Sequence, residues 1–177
     1  MNGDVKRALP PCHLQDLRTS LDAPIRPAAS ADCPVLTRIV NESNCYPGMY
    51  RALAGAVRVT PAVLLDRIVR VHDDGTAVRG FFSVEQTAAG SSLDLMFVDN
   101  GWTGRGIGRM LFNDLVQTVH SLHYRGILII SHPPAQGFYL HMGARLTGIE
   151  PPGKSATWTR PRLWYDIPVQ TRNESVG

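Results

Sequence analysis

The chain has 177 residues and a formal charge of +3, with 44% of its residues hydrophobic and 19% charged, which suits one soluble domain with a sizeable core. No apolar run approaches the roughly 20 residues of a membrane span, the N-terminus lacks the apolar centre of a signal peptide, and Lys and Arg are too scattered to form a nucleic-acid patch. Cys12, Cys33 and Cys45 are odd in number and widely spaced, which indicates neither a disulfide framework nor a zinc knuckle, so the cytosol is the expected compartment.

Residues 1–22 mix charges with Pro10-Pro11 and show little periodicity. They read as a mobile tail ahead of one domain at 23–170, with 171–177 as a second tail. Ala23–Pro27 is a short extended piece. Ser30 or Asp32 then caps a helix with Pro34 in its first turn, an apolar face of Val35, Leu36, Ile39 and Val40, and an end near Asn44. Pro47-Gly48 breaks the chain, and Met49–Val57 has the length of a short second helix. Thr60-Pro61 starts another helix.

The segment from Ile68 to Val84 flanks Asp73-Asp74-Gly75 with β-branched and aromatic residues, a strong hairpin signal. Leu93–Val98 supplies the next strand, so strands two to four form an antiparallel meander. A long helix follows, with Ile107, Leu111, Leu115, Val119 and Leu122 on one face. Ile127–Ile130 is apolar on both faces and reads as a central strand. After His132-Pro-Pro134, Ala135–Met142 forms a short helix closed by Gly143. Arg145–Ile149 and Leu163–Ile167 are the last two strands. This order fits a mixed α/β sandwich whose sheet is antiparallel except where Leu93–Val98 lies beside Ile127–Ile130.

Between the Leu93–Val98 strand and the long helix lies a glycine-rich turn, Gly101 to Gly108. Strand, glycine turn and helix make an anion site: the first amides of a helix have no intrahelical partner, and its dipole favours negative charge there. Glycine lets the backbone approach a phosphate, and Arg105 and Arg109 add positive charge. A Walker loop would need Lys-Ser/Thr after its last glycine, but Arg109-Met110 follow Gly108. A dinucleotide fingerprint would need G-x-G-x-x-G after the first strand of its unit, and the spacing here is Gly104-x-Gly106-x-Gly108.

Thr103-Gly-Arg-Gly-Ile-Gly108 resembles the acyl-CoA pyrophosphate loop of the GNAT N-acetyltransferase superfamily, with Thr103 where the family usually carries Arg or Gln. Gly137-Phe-Tyr-Leu-His-Met-Gly143-Ala resembles the family's F-Y-x-x-x-G-F segment, with Ala144 in place of the final aromatic. The resemblance runs from about Ile25 to Ile167 and implies a GNAT-like acyl-CoA N-acyltransferase fold, α/β (α+β), in which the parallel strand pair splays around acetyl-CoA. It implies cofactor contacts at Phe97, Val98, Thr103, Gly104, Arg105, Gly106, Ile107, Gly108 and Arg109. His132 adds another by position, since many relatives have an Asn there that contacts CoA.

The activity implied is acetyl transfer to a primary amine of a small molecule, by direct attack in a ternary complex. Free amides near Phe97 and Val98 would hold and polarise the thioester. Tyr139 matches the family's general acid, although a tyrosine at this spacing also suits plain packing. Asp94 stands where many relatives carry a Glu general base; it also suits an outward strand residue in water, or one that binds the amine without taking its proton. Tyr46, Met49, Tyr50 and Arg51 fall where the family shapes its acceptor pocket, and the same residues suit a loop whose aromatics fill gaps. Trp102 has either adenine or protein to stack on. His120-x-x-His123 lacks a third ligand, so no metal is expected. The alternatives are an acyl-CoA-binding regulatory module of little or no turnover, favoured by Thr103 and the short Asp94, or transfer to a protein lysine or N-terminus. A homodimer is compatible with all of these.

Overall fold

A computed structural model describes residues 25–50, 56–88, 90–153 and 156–168, apart from the side chain of Met49. The expected tails at 1–22 and 171–177, and Arg51, lie outside the described residues. Seven strands form one sheet: β1 Ile25–Pro27, β2 Ile68–Asp73, β3 Val78–Thr87, β4 Gly90–Val98, β5 Gly126–Ile130, β6 Arg145–Glu150 and β7 Arg160–Asp166. Their spatial order is β1-β2-β3-β4-β5-β7-β6. Only β4 and β5 run parallel, as the sequence predicts.

Among the described residues the α-helices are α1 Cys33–Asn41, α2 Pro61–Asp66, α3 Ile107–Ser121 and α4 Gln136–His141. They divide between the two faces of the sheet. Ile107, Leu111, Phe112, Leu115 and Val119 of α3 pack with Tyr139 of α4 on Phe82, Val84, Ile127, Ile129 and Leu163. Leu36, Ile39 and Val40 of α1 pack on Val69, Val71, Phe81 and Phe97 from the other side, with Val63 and Leu64 of α2 against them. The result is a three-layer sandwich with two cores. No helix among the described residues is long and apolar enough to cross a membrane.

Several boundaries differ from the sequence reading. Helix α1 ends at Asn41, not near Asn44, and neither Ser30 nor Asp32 caps it through a side chain. The Asp32 carboxylate turns back instead, accepting from the Ala29 amide at 2.7 Å and pairing with Arg26 at 2.8 Å. The carboxylate thus serves the 3₁₀ turn ahead of α1. A 3₁₀ turn spans Gly48–Tyr50, and most of the helix expected over Met49–Val57 lies outside the described residues, at 51–55. The β3–β4 hairpin extends three pairs beyond the expected ends, through Glu85↔Ser92, Gln86↔Ser91 and Thr87↔Gly90. Those residues are polar because the ladder there outruns the core. A 3₁₀ turn at Pro133–Ala135 precedes α4, and Gly143 follows with φ +96°, the left-handed closure expected of it.

Two features of β4 shape the site. Its ladder with β3 pairs Ser83 with Leu95 and Val84 with Leu93, so Asp94 is the unopposed residue of a bulge. The bulge reverses the alternation: Leu93 joins the α3 core, whereas Leu95 and Phe97 join the α1 core. On its other edge, β4 pairs with β5 only at Ser91↔Ile127, Ser92↔Leu128 and Leu93↔Ile129. Ser91 Oγ closes that end by donating to the Gly126 carbonyl at 2.8 Å. Beyond Leu93 the strands separate.

Candidate active site

The separation opens a wedge lined by Asp94, Met96 and Phe97 on one side and Ile130, Ser131 and His132 on the other, with Tyr46 and Tyr139 completing the lining. It continues into a groove of about 610 Å³ that runs past Val98, Trp102 and the Gly104–Gly108 loop to Phe138 and Met142. Tyr139 borders both spaces.

Which β4 amides face the wedge follows from the ladder. The Asp99 N–H donates to the Arg79 carbonyl at 2.8 Å, which makes 99 and 79 a hydrogen-bonded pair. Alternation along an antiparallel ladder then turns Phe97 toward β3 and leaves Met96 and Val98 with their amides toward β5. The sequence reading placed free amides near Phe97 and Val98; the ladder phase turns the amides of Met96 and Val98 toward the wedge and that of Phe97 toward β3. The Phe97 ring is buried between Phe81 and Tyr46, at centroid distances of 6.2 and 5.6 Å.

The loop after β4 is fixed by α1. Arg38 pairs with Asp99 at 2.8 Å and holds its carboxyl below the usual carboxylate range. The Asn100 side chain donates to the Glu42 carbonyl at 2.7 Å and accepts from the Asn44 amide at 2.9 Å. Thr103 Oγ1 donates to the Asn100 carbonyl at 3.0 Å, so this hydroxyl closes the turn. Gly104 and Gly106 have φ of +75° and +87°, where a Cβ is strained. Gly108 does not; a Cβ there would meet the Phe138 ring at 3.4 Å. The first intrahelical bond of α3 runs from Met110 N–H to the Gly106 carbonyl. The amides of Ile107, Gly108 and Arg109 precede it and belong to the helix's unused donors. Ile107 buries its side chain in the core, which leaves only its backbone at the turn, while Arg109 borders the groove. The Trp102 ring is engaged by protein: the Arg79 and Arg105 guanidinium groups lie 4.4 and 4.8 Å from its centroid.

Helix α4 sets Tyr139 between Phe112 and Phe138 with 7% of its surface exposed. Burial pushes its phenol well above the ordinary value, and Tyr46 adds to the effect. Burial likewise pushes Tyr46 up to about 12. Both rings are therefore neutral donors near pH 7. Asp94 faces the α1 side, where Arg67 pairs with its carboxylate and the Ser83 hydroxyl donates to it at 3.2 Å. It is the only carboxylate among the described residues lining the wedge.

His132 continues β5 beyond Ile130. Its Nδ1 accepts from the Trp158 indole N–H at 3.2 Å, which leaves the proton of a neutral imidazole on Nε2. Burial, with Arg160 nearby, holds its pKa below the usual histidine value. Around it stand Tyr46 at 4.9 Å, Trp158 at 5.6 Å and Tyr50 at 6.5 Å between centroids, and Tyr50 meets Trp158 edge-on at 4.8 Å. The expected acceptor-pocket residues Tyr46 and Tyr50 thus join one aromatic wall, and nothing in the described residues bears on Met49 or Arg51 as pocket residues. Trp158 and Arg160 escaped the sequence reading. A tryptophan within a Pro/Gly/Ser/Thr-rich loop was the available signal.

The sheet order, the splayed parallel pair and the glycine loop under α3 define an acyl-CoA transferase architecture. The chain belongs to the GNAT family: residues 66–156 match the acetyltransferase (GNAT) domain. No curated protein matches it in sequence. Among solved structures it is similar to a GCN5-related N-acetyltransferase from Rhodopseudomonas palustris, at 14% identity and TM-score 0.69 over 82% of this chain and 96% of that one. It is also similar to the ribosomal-protein-S18-alanine N-acetyltransferase from Escherichia coli, at 14% identity and TM-score 0.63 over 85% and 97%. A third is an aminoglycoside 6'-N-acetyltransferase in complex with coenzyme A, at 15% identity and TM-score 0.63 over 84% and 99%.

Proposed function

We propose that the protein transfers the acetyl group of acetyl-CoA to a primary amine of a small molecule, by direct attack within a ternary complex. The observation that carries this is the wedge: β4 leaves β5 after Leu93, and the gap shares Tyr46, Met96, Phe97 and Tyr139 with the groove along the glycine loop. The three unused amides of α3 and the Arg109 side chain suit a pyrophosphate, and the Met96 and Val98 amides suit the thioester and pantetheine arm. Of the three structures named above, one holds coenzyme A, and two carry acceptors in their names, a protein alanine and an aminoglycoside.

In this reading the neutral amine nitrogen attacks the thioester carbonyl, and amides of β4 stabilise the developing oxyanion. The C–N bond forms and the C–S bond breaks. The departing thiolate takes the Tyr139 hydroxyl proton, and the attacking nitrogen loses its proton to Asp94, directly or through a water. Support for a small-molecule acceptor comes from the aromatic cluster of Tyr46, Tyr50, His132 and Trp158 beside the wedge. Thiol release from acetyl-CoA across a panel of amines, beside calorimetry with acetyl-CoA alone, tests this. Binding with amine-dependent release supports it. Binding without release from any amine would show a CoA-sensing module instead.

A further inference from the structure

The β5–β7 register pairs Ile130 with Arg162, and the Ser131 amide donates to the Pro161 carbonyl at 2.9 Å, which carries the ladder one step further. The next opposed pair is His132 and Arg160. By alternation both lie on the sheet face away from α3, the face of Leu128, Arg162 and Trp164. Arg160 is a half-buried cation, and its Nε is buried without a hydrogen-bond partner. Glu150 stands opposite it on β6, yet that carboxylate goes to Arg162 at 4.0 Å. No ion pair to Arg160 occurs among the described residues. Arg26, Arg38, Arg67, Arg70, Arg79 and Arg145 meet carboxylates, whereas the buried, unpartnered guanidinium Nε is a feature of Arg160.

A guanidinium that is partly buried, unneutralised and beside an aromatic wall is held there at a desolvation cost that an anion would offset. Resting on the acetyltransferase reading above, we propose that the acceptor is a primary amine that also carries a carboxylate, an amino-acid-like molecule, with Arg160 as its carboxylate anchor and the Tyr50 and Trp158 rings against its apolar body. The neutral His132 fits this arrangement, since its Nε2–H offers a second donor without adding a competing charge. Guanidinium and carboxylate match as planar, two-pronged partners. The cation serves the chemistry as well, because it disfavours the ammonium form of an amine brought near it.

The test is calorimetry on the CoA-loaded protein with the twenty standard amino acids and their amides, for the wild type, Arg160→Gln and Arg160→Lys, with thiol release followed on the same samples from acetyl-CoA. At least one amino acid should bind roughly tenfold or more tightly than its amide. Arg160→Gln should erase that difference while leaving the amide's affinity unchanged, and Arg160→Lys should retain part of it. A panel in which no amino acid outbinds its amide overturns the proposal, as does Arg160→Gln weakening acid and amide alike. Binding that depends on Arg160 with no thiol release would leave the anchor standing and remove the transferase reading. Release from amides or simple amines with no carboxylate preference would do the reverse.

Discussion

The indole N–H of Trp158 donates to Nδ1 of His132 at 3.2 Å and thereby places the proton of the neutral imidazole on Nε2. A donor on the ring lone pair favours the neutral form. Trp158→Phe keeps a ring and removes the donor, so the His132 titration should move upward from its depressed position. Imidazole resonances followed by NMR against pH measure this. The same depression has a stability consequence: the unfolded chain binds the proton more readily than the folded one. The contribution is fully present above the unfolded value of about 6.5 and lost as pH falls through the folded value. His132→Gln should flatten that acid-side loss in thermal melts.

Gly106 caps α3 with φ +87°. Gly106→Val puts a β-branched residue where side chains are strained and where, in the proposed reading, the backbone approaches a phosphate. Acetyl-CoA affinity should fall at least tenfold, about 1.4 kcal/mol, with the circular dichroism spectrum unchanged. Unchanged affinity in a folded variant would remove the glycine loop from the site.

Asp94 sits in the β4 bulge with Arg67 and Ser83 on its carboxylate. Both partners of the ion pair are about one quarter exposed, and such pairs are worth about 0–1 kcal/mol, so Asp94→Asn should barely shift the melting temperature. If the carboxylate takes the amine's proton, the rate should drop most at neutral pH and recover as pH approaches the amine's own pKa. A uniform loss across pH assigns Asp94 to binding or structure.

Gly126 begins β5 at the closed end of the wedge. A Cβ there would lie 2.3 Å from the Trp164 ring and 2.6 Å from the Tyr165 carbonyl. Gly126→Ala should therefore cost about 1–3 kcal/mol in denaturant unfolding, while the folded fraction binds acetyl-CoA as before.

The strand, glycine turn and helix were legible because each carries a local signal: an apolar run, positive-φ glycines and a 3.6-residue period. The hairpin at Asp74-Gly75 and the Gly143 closure were legible for the same reason. What escaped was set by distant pairing. Asp32 serves the 3₁₀ turn ahead of α1 through the Ala29 amide and pairs with Arg26 on β1, a partner 6 residues away that no capping pattern indicates. Which β4 amides turn toward the wedge depends on the ladder phase set by the Asp99–Arg79 pair. Trp158 and Arg160 reach His132 only because β7 inserts between β5 and β6, an order that no local pattern encodes.

Tyr139 carries the central claim, since it borders both the wedge and the groove and its hydroxyl is assigned to the departing thiolate. Tyr139→Phe keeps the ring among Phe112 and Phe138 and removes only the oxygen, so the fold should persist. A general acid acts late in the reaction, so its loss should lower kcat rather than acetyl-CoA affinity. With CoA thiolate already a fair leaving group, the expected loss is about 10²-fold, the low end for such groups. The decisive measurement is kcat of Tyr139→Phe beside its calorimetric affinity for acetyl-CoA. A loss of that size at unchanged affinity is what the account predicts, and turnover at the wild-type rate would contradict it.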